Sequence, residues 1–415
     1  VLDRLYAGSA RARRRWYERR PESRRHLRHP VISIGNLTVG GSGKTPLAAS
    51  VAAHLCDRGE RPAILSRGYG RADRADGVVV VSDGTRILAP LARAGDEPLM
   101  LARQVPGAIV AVAEDRHLAG LVAERQLGAT VHVLDDGFQH LALARDLDVL
   151  LTWPGEILSG RPLPFGRLRE EPAAAARADV VVVFDADLDT ARREAFDLGI
   201  SQVLCARKAL RPLMRARSAA PEPGSARSKQ GSALRSEQGS ALRSEQGSAL
   251  RSEQGSALRS EQGSALRSEQ GSVAALPSRG SAAFGASLPS EGSTLGAPLP
   301  GEGSTLGAPL VAVAGIARPE SFFDLLRGAG HTVVRTIAYP DHHRYDARDL
   351  ARLAEAIRSS SAAAVVTTEK DAVRFEPIER LPFDLLIAPM ALVFDGWETL
   401  AACVDAALAR RREPA

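Results

Sequence analysis

The sequence predicts an α/β protein in which parallel sheets are covered by helices on both faces. Three observations predict it. Short β-branched runs alternate with helix-length stretches, a glycine-rich turn joins the first such run to a helix, and one low-complexity segment interrupts an otherwise regular alternation. Continuous apolar strands separated by helices mark parallel sheets buried on both sides. At 415 residues the chain is long enough for two such lobes.

The first 30 residues stand apart by charge. They carry ten arginines against Asp3, Glu18 and Glu22, more than the whole chain's net charge of +5. The basic excess therefore sits on one segment rather than across the folded body, which excludes a general nucleic-acid binder and points to an anionic surface near the N-terminus. Leu2, Leu5, Tyr6, Trp16 and Tyr17 fall on roughly one helical face with arginines between them. Such a helix can lie in the headgroup region of an anionic leaflet; a plain surface helix has the same pattern. No apolar run approaches the 18 residues of a membrane span, and the opening residues lack the apolar core of a signal peptide. Cys56, Cys205 and Cys403 are far apart and form no C-x-x-C pair. A disulfide scaffold or thiolate metal site is not expected, and a reducing compartment is.

From residue 31 the strands follow in order: 31–35, 62–66, 78–82, 108–113, 131–135, 147–152 and 179–184, then 311–315, 363–368 and 384–389. Lys44–Arg58 and Asp115–Gln126 read as intervening helices. Between the two groups the octamer GSALRSEQ repeats five times, from Gly231 to Gln270. Each octamer offers one Leu and one Ala, too little apolar area to offset chain entropy. Residues 218–306 are therefore expected to be a disordered insertion. The remainder divides into a lobe at 31–178 and a smaller one made of 179–217 and 307–415.

The strongest local signal is VISIGNLTVGGSGKTPL, Val31 to Leu47. A buried strand ends at Gly35, and the turn Thr38, Val39, Gly40, Gly41, Ser42, Gly43 leads to Lys44 and Thr45 at a helix start. Backbone N–H groups in such a turn face a phosphate chain, and the helix N-terminus adds partial positive charge. Lys44 is placed to reach the β- and γ-phosphates of ATP and the Thr45 hydroxyl to ligate Mg²⁺. The strict P-loop pattern fails by one residue, because Thr38 stands where its first Gly belongs. A P-loop enzyme also needs a carboxylate at the end of a neighbouring strand, and VHVLDDGFQH supplies Asp135 and Asp136. Taken alone, the pair has a helix N-cap or a turn as its alternative reading.

Together with SRGYGR (66–71), GDEP (95–98), LPFGRLRE (163–170), AGIARPESFF (314–323), YPDHHRY (339–345) and TTEKDAVR (367–374), these segments resemble the tetraacyldisaccharide 4′-kinase family in order and content. Thr38 is what that family's loop looks like. The resemblance implies a P-loop NTPase-like lobe and ATP-dependent phosphorylation of the 4′-hydroxyl of a tetraacylated glucosamine disaccharide 1-phosphate in lipid A biosynthesis. It implies Asp96 as the base and His342 as its partner, with His343 as the alternative actor. It further implies Thr45, Asp135 and Glu170 for Mg²⁺, and Asp136 for ordering the site. Arg67, Tyr69 and Arg71 fit the substrate's 1-phosphate, since arginine grips phosphate with a planar fork, and Arg116 joins them. The N-terminal segment resembles the family's membrane-facing helix. The implied setting is peripheral, at the cytoplasmic face of the inner membrane, as a monomer without nucleic acid.

The alternative class is a nucleotide-dependent switch or partitioning-type ATPase without lipid substrate. A GTPase of that class needs an N/T-K-x-D motif, and the nearest run, Thr368-Glu369-Lys370-Asp371, has the wrong spacing. Lysine is rare throughout: Lys44, Lys208, Lys229 and Lys370 are the complete set. In an arginine-rich chain a retained lysine marks a position where a guanidinium does not serve.

Overall fold

The computed structural model describes residues 2–40, 43–68, 71, 77–216, 296–298, 307–378 and 380–412. The strands among them are β1 (Val31–Asn36), β2 (Pro62–Ser66), β3 (Val79–Asp83), β4 (Ile109–Val112), β5 (Val131–Asp135), β6 (Leu147–Thr152), β7 (Val180–Phe184), β8 (Gln202–Leu210), β9 (Met214–Ala216), β10 (Gly296–Pro298), β11 (Leu310–Ala314), β12 (Val333–Ala338), β13 (Ala364–Thr368), β14 (Leu385–Ala388) and β15 (Met390–Asp395). The helices are α1 (Leu2–Arg19), α2 (Lys44–Asp57), α3 (Leu91–Ala94), α4 (Asp96–Gln104), α5 (Arg116–Leu127), α6 (Leu188–Leu198), α7 (Pro319–Gly328), α8 (Ala347–Ser360), α9 (Glu369–Phe375) and α10 (Trp397–Arg412).

Two sheets form. The larger runs β15-β8-β7-β6-β1-β5-β2-β4-β3 and is parallel except at its edges, where β3 and β15 pair antiparallel. β1 lies between β5 and β6, and every residue of all three is buried. That is why these strands read as unbroken apolar runs rather than alternating ones. The smaller sheet runs β10-β9-β14-β13-β11-β12, parallel from β14 to β12 with β9 and β10 antiparallel at one edge.

The expected lobe boundary at 178 does not match the sheets. β7 and β8 continue the larger sheet, parallel to β6, and β15 returns from the C-terminal part to pair with β8. The apolar faces of β7 find their partners in β6 rather than in the smaller sheet. Of the insertion expected at 218–306, only Gly296–Pro298 lies within the described residues, and it pairs with β9.

The core on one face of the larger sheet joins α2 and α10 to β1, β5, β6 and β7 through Leu47, Val51, Leu55, Leu400 and Val404. A second cluster links α2, α4 and β4 to Ala372 and Val373 of α9 and Ile387 of β14. The smaller sheet is therefore anchored against α4, and this joint brings both sheets to one site. In open parallel sheets, function gathers at the carboxyl ends of the strands. Here β1 ends at Asn36, β5 at Asp135, β11 just before Gly315 and β13 at Thr368.

Candidate active site

From Asn36 the chain turns through Thr38–Gly40 toward α2. Gly43 caps α2 at φ +83°, and a Cβ there would stand 2.6 Å from the Phe184 ring. Only glycine meets both conditions. Lys44 opens the helix. Its Nζ donates to Asn36 Oδ1 at 2.9 Å and lies 3.3 Å from Asp136 Oδ1. Asn36 Nδ2 in turn donates to the buried Thr38 Oγ1 at 2.9 Å. The residue that breaks the strict glycine pattern thus supplies a hydroxyl that braces the lysine's partner. Val39 N donates to the Arg167 carbonyl at 2.8 Å, and Arg167 Nη2 donates back to the Val39 carbonyl at 2.6 Å. Gly41 and Ser42 lie outside the described residues.

Asp135 is buried at the end of β5, and the Thr45 hydroxyl stands 3.5 Å from both of its carboxylate oxygens. Burial first, then the charges of Glu97 and Asp136, push its pKa up to about 7. Asp136 adopts φ 55°. Burial opposes its charge, but Lys44 and Arg169 hold its pKa below the ordinary value. Arg169 Nη1 donates to both Asp136 oxygens at 2.9 Å. The turn fits closely because a Cβ on Gly35 would come within 2.5 Å of Phe138 Cβ. Glu170, expected as a metal ligand, is buried and lines the same cavity as Thr45 and Asp135. Its oxygens accept from Arg177 Nη2 at 2.7 Å and Nη1 at 3.0 Å, and Arg14 lies 3.9 Å away. Two guanidinium groups already neutralise this buried carboxylate.

The sheets meet at Asp96, the first residue of α4. Its Oδ2 accepts from His342 Nδ1 at 2.9 Å and from Arg374 Nε at 2.9 Å, with Arg374 Nη2 also donating to it. Burial works against the Asp96 charge. The His342 hydrogen bond and the cations Lys370 and Arg374 outweigh it and hold the carboxyl well below its usual range. An ionised Oδ2 requires Nδ1 of His342 to carry a proton, and in the neutral ring Nε2 is then an acceptor. Nε2 stands 3.4 Å from Lys370 Nζ, which also donates to Glu97 Oε1 at 2.8 Å and Asp341 Oδ1 at 3.2 Å. His342 holds φ 62°, the left-handed region that non-glycine residues enter at a cost. His343 is engaged elsewhere: its Nε2 meets Asp349 Oδ2 at 2.7 Å and its ring stacks on Tyr339 at 4.4 Å.

A cavity of about 930 Å³ joins these groups. Lys44, Thr45, Asp135, Asp136, Arg67, His342 and Lys370 line it, as do Tyr6, Ser9, Ala10 and Arg13 of α1. Asp96 is not in the wall; it stands behind His342. Arg71 and Arg116 are buried, with Arg71 Nε and Nη1 and Arg116 Nε lacking hydrogen-bond partners among the described residues. Arg116 feels Arg67, Asp136 and Asp135, and burial followed by the Arg67 charge lowers its pKa. Tyr69 lies outside the described residues. α1 is tied down by Arg11 to Glu171, Arg13 to the Gln139 carbonyl at 3.2 Å, and Arg14 to Glu170. No described helix is long and apolar enough to cross a membrane.

The sequence reading singled out neither Arg374, Lys370, Glu97 nor Asn36 as a site residue. The rarity of lysine was the available signal, since Lys44, Lys208 and Lys370 all line the cavity. Arg374 closes the TTEKDAVR segment that carries part of the resemblance, but that segment gave it no role.

The sequence profile of the tetraacyldisaccharide-1-P 4′-kinase family matches residues 1–241 and 269–409. A tetraacyldisaccharide 4′-kinase of Geobacter sulfurreducens is 36% identical over 373 residues, covering 89% of this chain and 81% of that protein. One from Anaeromyxobacter dehalogenans is 38% identical over 349 residues, covering 84% and 73%. The solved structure of LpxK from Aquifex aeolicus, described as an "apo" form in complex with ATP, shares the fold. It has a TM-score of 0.64 and 22% identity, and the match covers 98% of this chain and 97% of that one. The chain belongs to the tetraacyldisaccharide-1-P 4′-kinase family.

Proposed function

We propose that this chain transfers the γ-phosphate of ATP to the 4′-hydroxyl of a tetraacylated glucosamine disaccharide 1-phosphate, at the cytoplasmic face of the inner membrane. The observation that carries the reading is a cavity lined both by Lys44 and Thr45 at the start of α2 and by His342 in the segment between β12 and α8, with α1 residues closing part of it. Phosphoryl transfer needs little covalent chemistry from a protein; it needs positioning, charge and a proton acceptor. Lys44, aimed by Asn36 and Asp136, takes the β- and γ-phosphates. The Asp96–His342 pair takes the proton of the attacking hydroxyl. Asp96 is the anion that holds the ring, and Nε2 is the atom on the cavity side. This refines the expectation of Asp96 as the direct base, because Oδ2 is already engaged by three donors.

Asp135 and Thr45 fit a magnesium ion. They are hard oxygen donors, and burial together with the Glu97 and Asp136 charges outweighs the cations Lys44 and Arg116 at the Asp135 carboxyl. Among the described residues no three His, Cys, Asp or Glu side chains gather into a metal cage. That suits an ion held by one or two protein groups plus substrate phosphates. When bound, magnesium neutralises charge on the phosphate oxygens. Arg67, Arg71 and Arg116 form the anion-binding side for the 1-phosphate, and the unpartnered guanidinium nitrogens of Arg71 and Arg116 favour that assignment. α1 carries Leu2 and Leu5 at 60% and 65% exposure and meets the lipid surface.

The test is incubation with radiolabelled ATP, magnesium and the disaccharide 1-phosphate in mixed micelles. Labelled lipid is the expected product. Release of inorganic phosphate with no labelled lipid would overturn the kinase reading in favour of a nucleotide switch.

A further inference from the structure

Arg374 lies in the last turn of α9, buried, and belongs to none of the roles assigned above. Its guanidinium is held from behind. Nη1 donates to the Gly315 carbonyl and to Asp371 Oδ1, both at 2.8 Å. Asp371 is itself fully buried and fixed: Oδ1 accepts from the Tyr345 hydroxyl at 3.0 Å and Gly315 N at 3.1 Å, and Oδ2 from Thr368 Oγ1 at 2.7 Å. The end of β11, the start of α9 and the segment before α8 therefore determine where the guanidinium sits. From there Nε and Nη2 reach across to Asp96 Oδ2 on α4.

We propose that Arg374 is a positioning residue: it fixes the Asp96 carboxylate and, through it, the ring of His342. The proposal rests on reading Asp96–His342 as the proton-accepting pair. Guanidinium and imidazole share one oxygen, so the place where Arg374 holds Oδ2 sets the direction of the Nδ1 bond. The backbone cannot readily compensate, because His342 is confined at φ 62°. The other Asp96 oxygen accepts from Glu97 N at 3.0 Å, a contact within its own helix. Without Arg374 the carboxylate is free to rotate about that contact, and the ring loses its fixed tautomer and aim. The competing account is a clasp that holds α4 against α9 and touches catalysis only through general loosening.

Two measurements on the full chain separate these accounts. The first is a double-mutant cycle of Arg374→Gln and Asp96→Asn. Misplacing a catalytic group by about an ångström costs on the order of 10²-fold in rate, so Arg374→Gln is expected to lower kcat by about that factor with the KM for ATP nearly unchanged. In the Asp96→Asn background the same change is expected to cost no more than about threefold, because residues acting as a unit are not additive. Equal losses in both backgrounds overturn the proposal. The second is nitrogen NMR of the His342 ring, which is expected to show the Nδ1–H tautomer in the parent chain and a mixture in Arg374→Gln. An unchanged ring in a folded variant also overturns it. Should Arg374→Gln not fold, Tyr345→Phe removes one bond to Asp371 and is read by the same cycle and the same ring signals. A parent chain that labels no lipid defeats the kinase reading instead, and the ring measurement still decides the role of Arg374.

Discussion

Lys44 reaches the cavity already aimed, with Asn36 on one side and Asp136 on the other. Lys44→Ala is expected to remove most activity, on the order of 10²-fold or more in rate, while leaving the fold intact. The check is turnover alongside circular dichroism, and near-normal turnover in a folded protein would sink the assignment. Asp96→Asn removes the anion that holds the ring but no phosphate contact. The expected outcome is a large fall in the single-turnover rate with nucleotide affinity nearly kept; collapse of affinity with a surviving rate would make Asp96 a nucleotide ligand. At this scale the sequence was legible where chemistry dictates a residue type at a strand end, as for Lys44, Thr45 and Asp135. It was illegible where a residue works through its fold position. Asp96 meets Arg374 across 278 positions of chain, and no local pattern announces such a contact. Thr38 is the intermediate case: its departure from glycine is visible in sequence, and its reason, the Asn36 hydrogen bond, only in three dimensions.

α1 presents two different faces. Tyr6, Ser9, Ala10 and Arg13 close part of the cavity, while Leu2, Leu5 and Trp16 stay exposed. Removal of residues 2–20 is expected to weaken action on substrate in anionic vesicles more than in mixed micelles. Vesicle sedimentation at low and high salt checks it, because attachment through arginine must be screened as the Debye length shrinks; binding indifferent to both salt and truncation contradicts the role. Element recognition followed burial. The ten strands that read as apolar runs all form, with ends shifted by one residue at most of them. β12 and β15 escaped because they are edge strands with polar faces: β12 carries Arg335 and Thr336, and β15 alternates between covered and open positions. Residues 201–206 read as a strand flanking the insertion, and β8 runs past them through Arg207 and Lys208 to Leu210. A strand buried on one side only does not produce the continuous apolar signal of β1.

For the molecule as a whole, the octamer array is the feature most foreign to the fold. The family profile passes over residues 242–268, inside the repeats. Deletion of residues 224–290 spares β10 and is expected to leave lipid phosphorylation within a few-fold of the full chain. Closure entropy grows only with the logarithm of loop length, so shortening this connection changes stability by about 1–2 kcal/mol. Kinase assay and thermal melting of the deletion check it; loss of activity would give the repeats a part in the site. The larger sheet has an order of assembly that its neat strand list conceals. Eight of its strands come from residues 31–210, but the ninth, β15, and the helix that seals the adjoining core, α10, come from residues 390–412. Leu392, Trp397, Leu400, Val404 and Leu408 complete the cluster that contains Ile32, Val149 and Leu204. During synthesis, domains ordinarily fold as they emerge. Here the central apolar face of the nucleotide-binding half has α2 but not α10 to cover it until some 180 further residues, the repeats among them, have been translated.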